Sequence, residues 1–182
     1  VVNGCLAALP HLKANGGALI TVGSEVSDAY PPLMGIYTAT KHAVKGYVDT
    51  LRVEVEEVDR APVAVTLIQP TAVDTPFPQH ARNFTHREPM LPKPRVEPKD
   101  VAEAILAAAE TPTRAKAVGA MSLVNTTVAK LVPGLGDKMA ARQADRMHYD
   151  EPPRHPGGAL HRPSEAIGIA GMTHGPGGKE PE

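Results

Sequence analysis

The stretch GSEVSDAYPPLMGIYTATK, Gly23 to Lys41, gathers side-chain types that can move a proton. Tyr37 is followed four residues later by Lys41, and Ser24 precedes Tyr37 by thirteen. A free phenol has a pKa of about 10, too high for a useful base near neutral pH. A neighbouring ammonium favours the phenolate and pulls that value down. A serine hydroxyl beside the phenol can hold a substrate oxygen. Together the three groups suit proton transfer on or off a carbonyl or alcohol oxygen. A hydride must then travel elsewhere, which calls for a redox cofactor. The Tyr-x-x-x-Lys pair alone is a weak signal, because a helix start with a snorkelling lysine looks the same. Ser27 and Tyr30 lie in the same stretch. Contact with substrate is open to both, and loop scaffolding is the favoured reading.

These residues need a frame. ALITVGS, Ala18 to Ser24, is a short apolar run bounded by turn signals and reads as a buried strand ending at Ser24. From Tyr37 the apolar period changes. Positions 37, 41, 44, 48, 51, 55 and 58 trace one helical stripe, with Lys45, Asp49, Arg52, Glu56 and Glu57 opposite. Tyr37 and Lys41 thus share a face one turn apart. VAVTLIQP, Val63 to Pro70, reads as a second buried strand. Residues 71–96 show no steady period, and so long a loop is usually functional. Its part from 74 to 96 holds Pro76, Phe77, Met90 and Leu91, which suit an apolar substrate.

The remaining elements follow the same logic. Residues 1–13 read as a helix, strained if Pro10 lies in its interior. A helix starts at Pro98, suited to a first turn, and 115–120 reads as a short strand. Residues 122–147 read as helical with interruptions at Pro133-Gly134 and Gly136. Covering the domain edge is preferred there over docking on a membrane. The order helix, strand, helix, strand, helix, strand argues for an α/β chain with a parallel sheet.

The chain has 182 residues and a net charge of -1, with no basic stripe interleaved with aromatics, so nucleic-acid binding has little support. No apolar run approaches the roughly 20 residues of a membrane span. One cysteine, Cys5, has no partner for an internal disulfide and fits a reducing cytoplasm. No Cys/His spacing marks a metal site. From residue 150 the chain is rich in Pro and Gly and reads as a disordered tail.

Two segments resemble the short-chain dehydrogenase/reductase superfamily, classical type. YTATKHAVKG is similar to the family's YxASKxAVxG, preceded at the family's spacing by Ser24. Pro70-Thr71-Ala72-Val73-Asp74-Thr75 is similar to its Pro-Gly-x-Val/Ile-x-Thr, with Thr71 in place of Gly. The resemblance implies Tyr37 as general acid/base and Ser24 as the group orienting the substrate oxygen. Lys41 lowers the Tyr37 pKa and holds the nicotinamide ribose. Pro70, Val73 and Thr75 then line the nicotinamide end of NAD or NADP. Thr71 leaves open whether the backbone there keeps the freedom of the usual Gly.

The implied activity is interconversion of a secondary alcohol and a ketone by hydride transfer. The alternatives are a nucleotide-sugar epimerase or dehydratase of the extended family, and a non-catalytic oligomerisation or binding fragment. The resemblance further implies a homo-oligomer through helices 1–13 and 37–58. Residues 1–120 correspond to the C-terminal half of a Rossmann-like, doubly wound, three-layer αβα domain, 121–149 to a helical extension and 150–182 to the tail. The family's glycine-rich turn has no counterpart here, and its catalytic Asn falls upstream of Val1, so Asn3 reads as an ordinary helix polar group. The sequence opens Val-Val-Asn-Gly rather than with Met. The expectation is an N-terminally truncated chain that binds NAD(P)H poorly alone.

Overall fold

The computed structural model describes residues 1–154 and 156–161. At its centre the run VAVTLIQP forms strand β2, Val63–Pro70. β1 (Gly17–Val22) pairs with it on one side and β3 (Ala115–Val118) on the other, both parallel. Parallel neighbours need long crossovers, and helices supply them. α2 (Gly35–Arg52) joins β1 to β2, and α4 (Pro98–Glu110) lies on the connection from β2 to β3. α1 (Val2–Asn15) precedes β1, and α3 (Phe77–His80) is a single turn in the long loop. α5 (Ala120–Leu131) and α6 (Pro133–Gln143) follow β3. The parallel α/β architecture expected from the sequence is present.

Alternation along β2 divides the core. Val63, Val65 and Leu67 pack with Cys5 and Leu9 of α1 and with Val48 and Leu51 of α2. Ile68 turns to the opposite face, where it meets Ala108 of α4 and Val118 of β3. Helices therefore cover both faces, and the sheet is the middle of three layers. β2 is buried almost throughout, whereas Gly17 and Val22 at the ends of β1 are exposed. That corrects the reading of β1 as wholly buried: among the described residues it has a strand partner on one side only.

The stripe of α2 holds from Lys41 to Val55 and then fails. Val55 is 1% exposed and Val58 is 72% exposed. After Arg52 the helix widens into a π turn over Val53–Val58, with the Asp59 N–H donating to the Glu54 carbonyl. Each widened turn shifts the angular position of the residues after it, so Val58 leaves the core face. Arg52 and Glu56 also depart from the outward side assigned to them. The Arg52 Nε–H donates to the Val65 carbonyl at 2.8 Å, and the Glu56 carboxylate accepts from the Val65 N–H at 2.7 Å. The pairing with β3 begins only at Leu67, so Val65 has no strand partner on that side. The two side chains complete the backbone hydrogen bonding there.

α1 runs through Pro10, which sits in its interior on the exposed side, while Cys5, Leu9 and Leu12 pack inward. Packing of that face outweighs the hydrogen bond proline forfeits. Between α5 and α6 the break falls at Val132, and Pro133 starts the new helix, so Gly134 and Gly136 interrupt nothing. Residues 83–90 are tied to the chain beyond α6. The Met90 N–H donates to the Met147 carbonyl, the Glu88 N–H to the Glu151 carbonyl and the Asn83 N–H to the Pro156 carbonyl. The rest of the Pro/Gly-rich tail, residues 162–182, lies outside the described residues.

Candidate active site

β1 ends at Val22, and two further residues bring the chain to Ser24. Gly23 keeps the backbone against β2: its N–H donates to the Ile68 carbonyl at 2.8 Å. A Cβ at Gly23 would come within 2.9 Å of Leu67 Cδ1, so a side chain there would have to displace the Leu67 side chain or the strand end. Ser24 is extended, and its Oγ accepts from the Val26 N–H at 3.3 Å, capping the 3-10 turn Glu25–Ser27. Ser24 thus stands just beyond the carboxyl end of a parallel strand, where ligands bind in open α/β sheets.

α2 delivers the other two groups. Tyr37 lies in its first turn and Lys41 one turn on. Lys41 Nζ donates to the Gly23 carbonyl at 3.1 Å and stands 5.7 Å from the Tyr37 ring centroid. That one bond ties the start of α2 to the strand end that carries Ser24. Burial holds the Lys41 ammonium below its usual pKa. Tyr37 remains 36% exposed, so its ring can be reached from outside.

Behind this corner lies Asp28, which sequence reasoning missed. Its carboxylate pairs with Lys45 of α2, accepts from Gln69 Nε2 of β2 at 2.8 Å, and pairs with Lys130 of α5 at 3.1 Å. Burial alone would raise the Asp28 pKa, but these donors outweigh it and hold the carboxyl below its ordinary value. Gln69 also donates to the Ser24 carbonyl at 3.4 Å. One sequence signal existed. Gln69 is a polar residue at the inner end of an apolar strand, and a buried amide needs partners.

The segment after β2 is fixed on both sides. The Thr71 N–H donates to the Val118 carbonyl at 3.0 Å. Val73 bridges to Val96, and the Thr75 hydroxyl donates to the Val73 carbonyl at 3.4 Å. Thr71 does not need the left-handed backbone that would favour Gly; only Leu33 and Arg60 have positive φ among the described non-glycine residues. The space for its side chain comes from Gly119. A Cβ there would lie 2.6 Å from Thr71 Cγ2 and 2.8 Å from Val96 Cγ1, and Gly119 itself has φ +90°.

Ser27 lies beneath the corner, its Oγ 3.2 Å from where a Cβ of Gly23 would stand, whereas Tyr30 reaches toward the start of α6. Ser27 is buried in the turn at 1% exposure. The Tyr30 hydroxyl donates to the Pro133 carbonyl at 3.5 Å, bracing the α5–α6 junction. Next to Ser24, Glu25 points into a cavity of about 470 Å³. Burial pushes its carboxyl up, against the opposing effect of hydrogen bonds from Asn125 and Thr71. Ser24, Tyr37 and Lys41 do not themselves line that cavity, which lies between the turn that follows Ser24, the long loop, α5 and α6. Among the described residues no cluster of three His, Cys, Asp or Glu could hold a metal ion. No helix there is long and apolar enough to cross a membrane.

The family model for short chain dehydrogenases matches residues 1–85. An uncharacterized oxidoreductase of Bacillus subtilis, YxnA, is 35% identical over 158 residues, which cover 85% of this chain and 44% of the relative. A 3-ketodihydrosphingosine reductase of Bacteroides thetaiotaomicron is 38% identical over 78 residues, 42% of this chain and 28% of that protein. Among solved structures, a short chain dehydrogenase from Burkholderia cenocepacia in complex with NADP aligns with a TM-score of 0.62 at 25% identity, covering 79% of this chain and 54% of that one. The chain thus spans about half the length of the Bacillus relative and of the Burkholderia structure.

Proposed function

Because the chain belongs to the short-chain dehydrogenase/reductase superfamily, we propose that it carries the catalytic corner of an NAD- or NADP-dependent oxidoreductase interconverting a secondary alcohol and a ketone. The observation that carries this reading is the Lys41 contact to the Gly23 carbonyl, which brings a Tyr–Lys pair to the strand end bearing Ser24. In this reading Tyr37 donates a proton to the carbonyl oxygen in reduction and removes it in oxidation. Lys41 stabilises the phenolate that remains. Ser24 donates a hydrogen bond to the same oxygen and fixes its position.

The residues present suit a nicotinamide cofactor. An ammonium has three donors; one goes to the Gly23 carbonyl, and the others are directed in this reading to the nicotinamide ribose. Pro70, Val73 and Thr75 would line its carboxamide end, on a segment that Val96 and Val118 hold in place. The cofactor, when bound, supplies or accepts the hydride. The NADP in the Burkholderia structure supports the same cofactor class here.

We also propose a homo-oligomer through α1 and α2, supported by exposed Val2 and Leu6 on α1 and Ile36 on α2, with Val53 and Val58 just beyond it. The single cysteine, free and buried, supports a reducing cytoplasm as the setting. The direct test is ketone reduction by the gene product carrying this sequence, screened with NADH and NADPH. Tyr37→Phe is expected to lower the rate by about 10²–10⁴-fold. An unchanged rate would refute the catalytic reading.

A further inference from the structure

The cavity beside Ser24 is unused by the proton-transfer reading, and its lining has a definite polarity. Its volume of about 470 Å³ falls in the range of about 300–1,000 Å³ typical of small-molecule sites. Val26 follows from the Ser24 turn, Met121 and Val128 come from α5, Met139 from α6, and Met90 from the long loop. Three of these five are methionines, whose unbranched side chains fit flexible apolar ligands. Met90 is fixed in the wall because its backbone is bonded to Met147. Tyr30 holds the far wall, since its hydroxyl bonds the Pro133 carbonyl at the start of α6.

The charges are unevenly placed. The acid in the described lining, Glu25, directly follows Ser24, and its carboxylate accepts from Asn125 Nδ2 at 3.0 Å. Arg142 and Arg146, which also line the cavity, come from α6 and the turn after it. Both are exposed, and neither has an ion-pair partner among the described residues. An apolar chamber whose lining carries two arginines and Lys93 against one already bonded carboxyl complements an anion on an apolar body. Burial of Glu25 points the same way, since it disfavours the ionised form that would repel such a ligand.

We infer that the substrate is an anionic amphiphile: a carbonyl or alcohol group at Ser24, an apolar chain in the methionine-lined cavity, and a carboxylate or similar anion at Arg142 and Arg146. The inference rests on the proposed chemistry at Ser24 and Tyr37 for the placement of the reacting end, but binding in the cavity does not require that chemistry. Isothermal titration of the 182-residue chain with dodecanoate and with dodecylammonium, each below its micelle concentration, separates the two. Dodecanoate should bind at least about tenfold tighter than dodecylammonium, a difference of about 1.4 kcal/mol. Arg142→Glu with Arg146→Glu should abolish or reverse that preference, and Met121→Trp should weaken both probes by filling the cavity. Tyr37→Phe should leave probe binding unchanged while turnover falls, so failure of the cavity reading and failure of the catalytic reading are distinguishable. The inference is overturned if neither probe binds the unmodified chain, if dodecylammonium binds as well as dodecanoate, or if the preference survives charge reversal.

Discussion

Lys41 does two jobs at one atom. Its ammonium holds the Gly23 carbonyl and stands beside the Tyr37 ring. Burial lowers its pKa from 10.5, so its proton is lost at a lower pH than for a free lysine. Activity that needs the protonated form should therefore fall on the alkaline side below pH 10.5. Lys41→Arg keeps its charge throughout that range, so any residual activity should show its alkaline limb displaced upward. A limb at the same pH in both proteins would assign it to another group. Thr71 and Gly119 allow a second residue-level test. Gly119→Ala places a methyl against Thr71 and strains a backbone at φ +90°, for a cost of about 2–4 kcal/mol in urea unfolding. Adding Thr71→Gly should recover the part of that loss that comes from Thr71 and leave the Val96 clash and the backbone part. Additive losses would show that the two residues do not meet. The Ser–Tyr–Lys spacing was legible in the sequence because a strand end and a helix face fix it. The Thr71–Gly119 contact was not, because residues 48 apart meet only through the pairing of β2 with β3.

At the scale of elements, Asp28 joins α2, β2 and α5 to the turn that follows Ser24. Its folded-state pKa lies below 3.8, so its contribution to stability is present above that value and is lost as pH falls through the lowered pKa. Asp28→Asn should cost about 1–3 kcal/mol near neutral pH, since hydrogen bonds to a charged group are lost while Lys130 is half exposed. The variant should also lose part of the steepness of acid unfolding. Equal acid transitions in the two proteins would remove Asp28 from this role. Hydrophobic period located α2 and both long strands, because amphipathic faces are written every few residues. The π turn after Arg52 escaped it. Its widening serves Arg52 and Glu56, which bond the Val65 backbone where β3 has not yet begun. A partner 9 to 13 residues away through a side chain leaves no periodic trace.

At the scale of the molecule, apolar side chains remain exposed on α1, on α2 and in the π turn after it, and β1 has an open side among the described residues. Such surface marks an interface more often than bare solvent exposure. If α1 and α2 pack against a second copy, Leu6→Lys with Val53→Lys should lower the sedimentation coefficient of the gene product toward the monomer value. A wild-type protein that sediments as a monomer at micromolar concentration would contradict the interface. The central claim concerns Ser24, Tyr37 and Lys41 acting on one oxygen, and groups that act as a unit give non-additive losses. The most direct measurement is hydride transfer from NADH or NADPH to a ketone by Ser24→Ala, Tyr37→Phe and the double variant. The account predicts a loss of about 10²–10⁴-fold for Tyr37→Phe, with the double variant little worse than Tyr37→Phe alone. A Tyr37→Phe protein that reduces ketones at the wild-type rate would contradict it.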